Sequence, residues 1–343
     1  MESKINLYIS FIHCDINFNV KGIQLMKISL NFNSTVPIKT YQHHAYTLGI
    51  LLNSEKEYLW LYNNYIQIAY TKSLGMGSFN FYMDFITHQP VFSREHLSDS
   101  LLESNHICVL DYIFNALNEG KYVLACVDEF YIPNRLVYQR LNFVHDILIF
   151  GYDDELMEFQ VAGYDAKMNY TVSKVPYKNM ELSKPQYIEI LSVNHKYPFE
   201  LNLKSIIVQL KQYINEIDNP ILGDMHWNDR TYGIEACVEV LNTYKQELSV
   251  NNQCDIRPIY LLVEHKECMY KRIEYINNIY NLIPEEDYYY IVEAFTVVKN
   301  LLLKYNVTQS ERLIGVFVEK FHNSIMEEKC YLSKYIDRIS RAV

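Results

Sequence analysis

The chain is 343 residues long, enough for two domains with sizeable cores. Apolar residues make up 49% and charged residues 21%, which excludes an intrinsically disordered chain. A formal net charge of −10 leaves no basic excess to neutralise phosphates, so nucleic acid is not an expected partner; a local basic patch able to dock an acidic carrier protein remains compatible with it.

Strand-like alternation is expected at 7–12 and 25–32. From Ala45 to Tyr70, Leu48, Leu51, Leu52, Leu59, Leu61 and Ile66 predict a helix, a turn at Asn53-Ser54-Glu55 and a second helix. Gly75-Met76-Gly77-Ser78 is a loop, and lacks the Lys-Ser/Thr of a phosphate cradle. Residues 106–118 predict a helix closed by Glu119-Gly120, where glycine suits the left-handed cap. A β-meander follows. Val123-Leu124-Ala125-Cys126-Val127 is its first strand and 143–151 its second. Tyr152-Asp153-Asp154-Glu155 makes the turn, and 157–165 returns. Residues 187–193 are one more strand. Beyond about Lys196 the spacing turns helical throughout, at 203–217, 232–246, 259–283, 287–305 and 309–341. The expected architecture is therefore α+β over 1–195, followed by an all-α domain over 196–343.

Seven cysteines run from Cys14 to Cys330 without a C-x-x-C pair, and the odd count fits no closed disulfide framework. Reduced, buried thiols are expected. The first residues lack a long apolar run, and no stretch approaches the roughly 20 apolar residues of a membrane span. The expectation is a cytoplasmic protein with neither signal peptide nor membrane partner; a homodimer is left open.

The chemistry-bearing feature is the meander. Pairing Gly151 near Glu158 sets His145 opposite Tyr164 and next to Asp165. A carboxylate beside an imidazole fixes its tautomer and stabilises the imidazolium, which is half of a nucleophile–base–orienter triad. The plain alternative is a buried histidine and a turn aspartate without chemistry. Other clusters point to structure. His43 and His44 are adjacent, so on a helix they diverge by about 100°, and His265 with Cys268 lacks further ligands; no metal is expected. The paired acids Asp153-Asp154 and Glu285-Glu286-Asp287 sit where carboxylates cap backbone N–H groups. None of the cysteines clearly opens a helix with a histidine in reach, as a thiol nucleophile requires.

The run Gly120-Lys121-Tyr122-Val123-Leu124-Ala125-Cys126-Val127-Asp128-Glu129-Phe130-Tyr131-Ile132-Pro133, followed by His145 and Gly151-Tyr152-Asp153-Asp154, resembles proteins sharing the N-terminal domain of butirosin biosynthesis protein H. Tyr232-Gly233-Ile234, Asp255-Ile256-Arg257-Pro258, Glu264-His265-Lys266 and Arg272-Ile273 are similar to the helical half of that family's members in nonribosomal-peptide clusters. The resemblance spans most of the chain from about residue 38. It implies a papain-like fold, related to double-glycine leader peptidases, and a cofactor-free acyltransferase. Such an enzyme moves an acyl group from an acyl or peptidyl carrier protein to a small amine acceptor, in peptide or aminoglycoside antibiotic assembly. By this resemblance His145 is the general base, Asp165 its orienter, and Thr40, at the start of the first long helix, stands where the family has its nucleophilic cysteine. A second register puts His44 there. The threonine leaves three explanations open: a slow or substituted nucleophile, loss of chemistry with binding kept (a noncatalytic scaffold or pseudoenzyme), or a displaced cysteine such as Cys14.

Overall fold

The computed structural model describes residues 25–81, 90–98, 108–215, 229–248, 250, 253–283 and 286–342. The strand expected at 7–12 and Cys14 lie outside the described residues. In chain order the first elements are β1 (Lys27–Ser29), α1 (Gln42–Leu51), α2 (Tyr58–Asn64), β2 (Ile68–Thr71), β3 (Asn80–Phe81) and β4 (Phe92–Ser98). Next come α3 (Val109–Asn118), β5 (Tyr122–Asp128), β6 (Val144–Asp153), β7 (Glu158–Tyr164), β8 (Tyr170–Pro176), α4 (Tyr177–Leu182) and β9 (Tyr187–Val193). The remainder is α5 (Leu203–Asn215), β10 (Arg230–Tyr232), α6 (Gly233–Glu247), α7 (Arg257–Tyr280), α8 (Tyr289–Thr308) and α9 (Arg312–Ser340). The fold is thus mixed α+β with an antiparallel sheet and a helical C-terminal region.

The chain forms two compact units, one from Met1–Asn31 with Phe92–Val193 and one from Phe32–Val91 with Asn194–Val343. This differs from two consecutive domains meeting at 195: residues 32–91 belong with the helical part. The reason is long-range pairing. Strand β2, a continuous apolar run expected to extend the second helix, instead pairs with β10 through Ala69 and Tyr232. The Arg272 side chain on α7 donates to the carbonyls of Tyr62 and Tyr65, at 2.6 Å each.

In the β-rich unit the strand order is β4-β9-β5-β6-β7-β8, with β1 also on β6. One edge of β6 is shared: β5 pairs with 144–149, and β1 takes over at 151–153. The other edge carries β7, with a register shift between Ile149 and Gly151. Alternate residues of the strands build one core against α3: Val123, Ala125 and Val127; Ile147 and Ile149; Phe159 and Val161; Ile188 and Ile190. His145 precedes Ile147 by two and so lies on that same face, at the end of the strand where Val144 is already exposed.

In the helical unit, α7 carries five buried polar residues, Glu264, His265, Lys266, Arg272 and Asn277. Lys266 Nζ lies 2.7 Å from Glu328 on α9, and both side chains are fully buried. The Lys266 ammonium also donates to the Tyr213 hydroxyl at 2.8 Å and meets His265 Nδ1 at 3.2 Å. Glu328 accepts from the hydroxyls of Tyr213 and Tyr288. His265 Nε2 faces the Ile66 carbonyl at 2.8 Å, so Nε2 carries the proton and Nδ1 accepts from the ammonium. Burial, then the Lys266 charge, hold this imidazole well below its usual pKa, in its neutral form. Lys266→Met would leave the Glu328 carboxylate buried without its cation. The expected cost is roughly 3–5 kcal/mol, read by urea unfolding, and the double variant with Glu328→Gln should recover a large part of it.

Candidate functional site

The region around His145 is built from the connection between β5 and β6. Asp128 ends β5 and ties the connection at both ends: Oδ1 accepts from the backbone N–H of Phe130 and of Phe143, each at 3.0 Å, and Oδ2 accepts from the Asn142 amide. The Glu129 N–H donates to the Phe143 carbonyl at 2.8 Å, and Gln139 N–H to that of Phe130 at 3.0 Å. The loop that enters β6 is therefore pinned two residues before His145. The Phe143 ring stacks on the imidazole, with centroids 5.4 Å apart and planes inclined by 25°. The His145 side chain stays 39% exposed, open enough to meet a ligand.

The carboxylate at this imidazole is Glu129. Its Oε1 lies 3.7 Å from His145 Nδ1 and 3.8 Å from Arg135 Nε. The Arg135 side chain is only 2% exposed, and its Nε and Nη2 have no hydrogen-bond partner. Its Nη1 donates to the Tyr164 carbonyl. Glycine at 163 makes this possible. A Cβ there would stand 2.6 Å from Arg135 Nη2, and the backbone is at φ +156°.

Asp165 is not joined to His145, which corrects the expected pairing. Its Oδ1 accepts from the backbone N–H of Lys167 and of Asn169, each at 2.8 Å. These donors, Asn169 first, hold its carboxyl below the usual range. Two features of β7 account for the difference. The recorded β6–β7 register reaches only Leu148 opposite Ala162, and past it the Tyr164 carbonyl accepts from Arg135. Meanwhile β7 keeps pairing with β8 as far as Tyr164 opposite Tyr170, so Asp165 becomes the first residue of a hairpin turn. The carboxylate serves that turn.

Thr40 belongs to the other unit, two residues ahead of α1. The backbone N–H groups of Lys39 and Thr40 each donate to Glu264, to Oε1 and Oε2 respectively, at 3.1 Å. A carboxylate thus occupies both donors. His44, the second candidate for the nucleophile's position, is a core residue. Its Nε2 meets Asn80 Oδ1 at 2.8 Å and its Nδ1 the Tyr65 hydroxyl at 3.3 Å, while the Asn80 amide nitrogen reaches His43 Nε2 at 3.3 Å. Burial, then the neighbouring His43, push the His44 pKa well down.

Burial raises the thiols of Cys126, Cys237, Cys254 and Cys268, the last to about 12, the opposite of an activated nucleophile. Among the described residues no group of three or more His, Cys, Asp or Glu could hold a metal ion, and no helix is long and apolar enough to cross a membrane. Sequence reasoning missed Glu129, Arg135 and Glu264 as site residues. For Glu129 a signal existed: with 123–127 paired antiparallel to 145–149, an acid two residues past Val127 comes within reach of His145.

Burial pushes the Glu264 carboxyl up from 4.5 to about 7, against the opposing effect of its N–H donors. The folded chain therefore holds this proton more tightly than the unfolded one. The stability it contributes is fully present below pH 4.5 and is lost as pH rises to about 7. Relative to Glu264→Gln, the wild type should lose on the order of 3 kcal/mol across that window and nothing further above it. Urea unfolding at stepped pH measures this, and a flat difference would refute the assignment.

Compared with known proteins, the chain matches no protein-family model, and no curated protein matches it either.

Proposed function

We propose that this chain is a papain-like acyl-transfer protein of cytoplasmic natural-product assembly, with His145 as its general base. The observation that carries the reading is the half-exposed imidazole with a carboxylate at Nδ1, mounted on a pinned loop at the end of a sheet strand. An antiparallel sheet with histidine at the start of a strand, and a helix beginning just after position 40, support the papain-like part. Thr40 receives the nucleophile's role on the sequence resemblance alone.

In this reading a hydroxyl attacks the carbonyl of a carrier-bound thioester. The C–S bond breaks, an ester forms, and the hydroxyl proton passes through the imidazole to the departing thiolate. A small amine then attacks the ester, releasing the hydroxyl and leaving an amide. A threonine hydroxyl is far less acidic than a thiol, so turnover should be slow by the standard of cysteine enzymes.

A second reading, a noncatalytic module that binds a carrier protein or its acyl group, is favoured by one observation. Glu264 already occupies the two N–H groups at the entry to α1. One pair of measurements separates the readings: amide formation from a pantetheine thioester and an amine, and calorimetric binding of an acyl-loaded carrier protein. Turnover that drops at least 100-fold in His145→Ala supports acyl transfer, the range for a general base. Binding without turnover supports the module, and neither activity overturns both.

A further inference from the structure

We infer that Glu129, anchored by Arg135, is the residue that positions the His145 imidazole, in place of the carboxylate at 165. The inference rests on the reading of His145 as the working group, but its test does not depend on turnover.

Three observations carry it. The first is the exclusive engagement of Asp165, whose Oδ1 accepts two turn N–H groups. The second is the position of Glu129: a single oxygen, Oε1, stands 3.7 Å from His145 Nδ1 and 3.8 Å from Arg135 Nε. The third is the buried guanidinium. It is ion-paired to Glu129, holds two N–H groups without a hydrogen-bond partner, and is clamped at its far end on the Tyr164 carbonyl over Gly163. A buried cation strongly favours an anion beside it, so the Glu129 carboxylate is held where it lies. The Glu129 backbone is fixed as well, through the Phe143 carbonyl. A carboxylate fixed at Nδ1 selects the Nδ1–H tautomer and leaves the Nε2 lone pair as the proton acceptor.

The substitution Glu129→Gln keeps the shape and removes the charge. Because one oxygen faces both partners, the Arg135 N–H groups hold the amide oxygen at the same place, where it accepts from Nδ1–H more weakly than a carboxylate does. Glu129→Ala removes the acceptor altogether and releases the imidazole toward the Nε2–H tautomer. Long-range 1H–15N correlation spectra of the full chain labelled in histidine resolve the tautomers, with the His145 signals identified by their loss in His145→Gln. The wild type should show mainly Nδ1–H. Glu129→Ala should move the ratio at least fivefold toward Nε2–H, Glu129→Gln should move it the same way by a smaller factor, and Asp165→Asn should leave it unchanged. A shift in Asp165→Asn with none in the Glu129 variants would overturn the inference, as would a wild type already in the Nε2–H form. Tautomer changes as expected without thioester turnover in the wild type would keep the inference and remove the acyl-transfer reading. Turnover without tautomer changes would do the reverse.

Discussion

The helical unit depends on one constraint: a charge buried away from water must find a partner. Lys266 and Glu328 are both fully buried, 2.7 Å apart, and lie on helices separated by more than 30 residues of chain. Around them four buried polar side chains of α7 each reach a different part of the unit. Glu264 takes the N–H groups ahead of α1, His265 the Ile66 carbonyl before β2, Lys266 the Tyr213 hydroxyl on α5, and Arg272 the carbonyls of Tyr62 and Tyr65. Apolar packing alone would tolerate sliding of α7 along its neighbours. These contacts do not, because any shift leaves a charge or a peptide group unpaired at a cost of several kcal/mol. The same constraint explains why residues 32–91 fold with the helices that follow residue 194.

The β-rich unit meets the constraint by a different route. Its core is apolar and alternating, and the buried cation Arg135 is confined to the end of the sheet beside His145. There the guanidinium takes the Tyr164 carbonyl at the point where the β6–β7 register has run out. The strand that ought to carry an aspartate to the histidine is thereby diverted into a hairpin. The acid that answers the cation comes from the opposite neighbour, the end of β5. Strand pairing in a sheet gives each residue two cross-strand neighbours, and the orienting group moves from one side of His145 to the other without disturbing the core.

Much of this was legible in the chain, and the failures have physical causes. The helix over 42–51, the meander, the capping acids of the β6–β7 turn and the helical succession after 200 all follow from local periodicity and turn chemistry. Asp153, for example, accepts from the N–H groups of Glu155 and Leu156 as a turn acid should. What was not legible depends on partners far away in sequence. Ile68-Ala69-Tyr70-Thr71 has no alternation, since all four residues are buried, and only its pairing with 230–232 makes it a strand. The motif Glu264-His265-Lys266 stood out by resemblance, yet its partners lie as much as 225 residues away. Residue 165 was placed beside His145 by extending a register that the structure does not continue.

The two carboxylates outside that expectation bear on function in opposite directions. Glu129 sits beside an imidazole that remains open to solvent, an arrangement that favours proton transfer. Glu264 sits on two peptide N–H groups, each of its oxygens accepting one, so these donors are already engaged. A protein with the first feature alone would be an ordinary general-base catalyst; one with the second alone would be a site sealed by its own side chain. With both, the acyl-transfer reading proposed above keeps its base, while the two N–H groups ahead of α1 are already filled. Because burial has raised the Glu264 carboxyl to about 7, that filling is itself balanced between a neutral and an ionised form near neutral pH. The ionised form is the better acceptor for both N–H groups and the costlier one to bury, so the two effects oppose each other at Glu264.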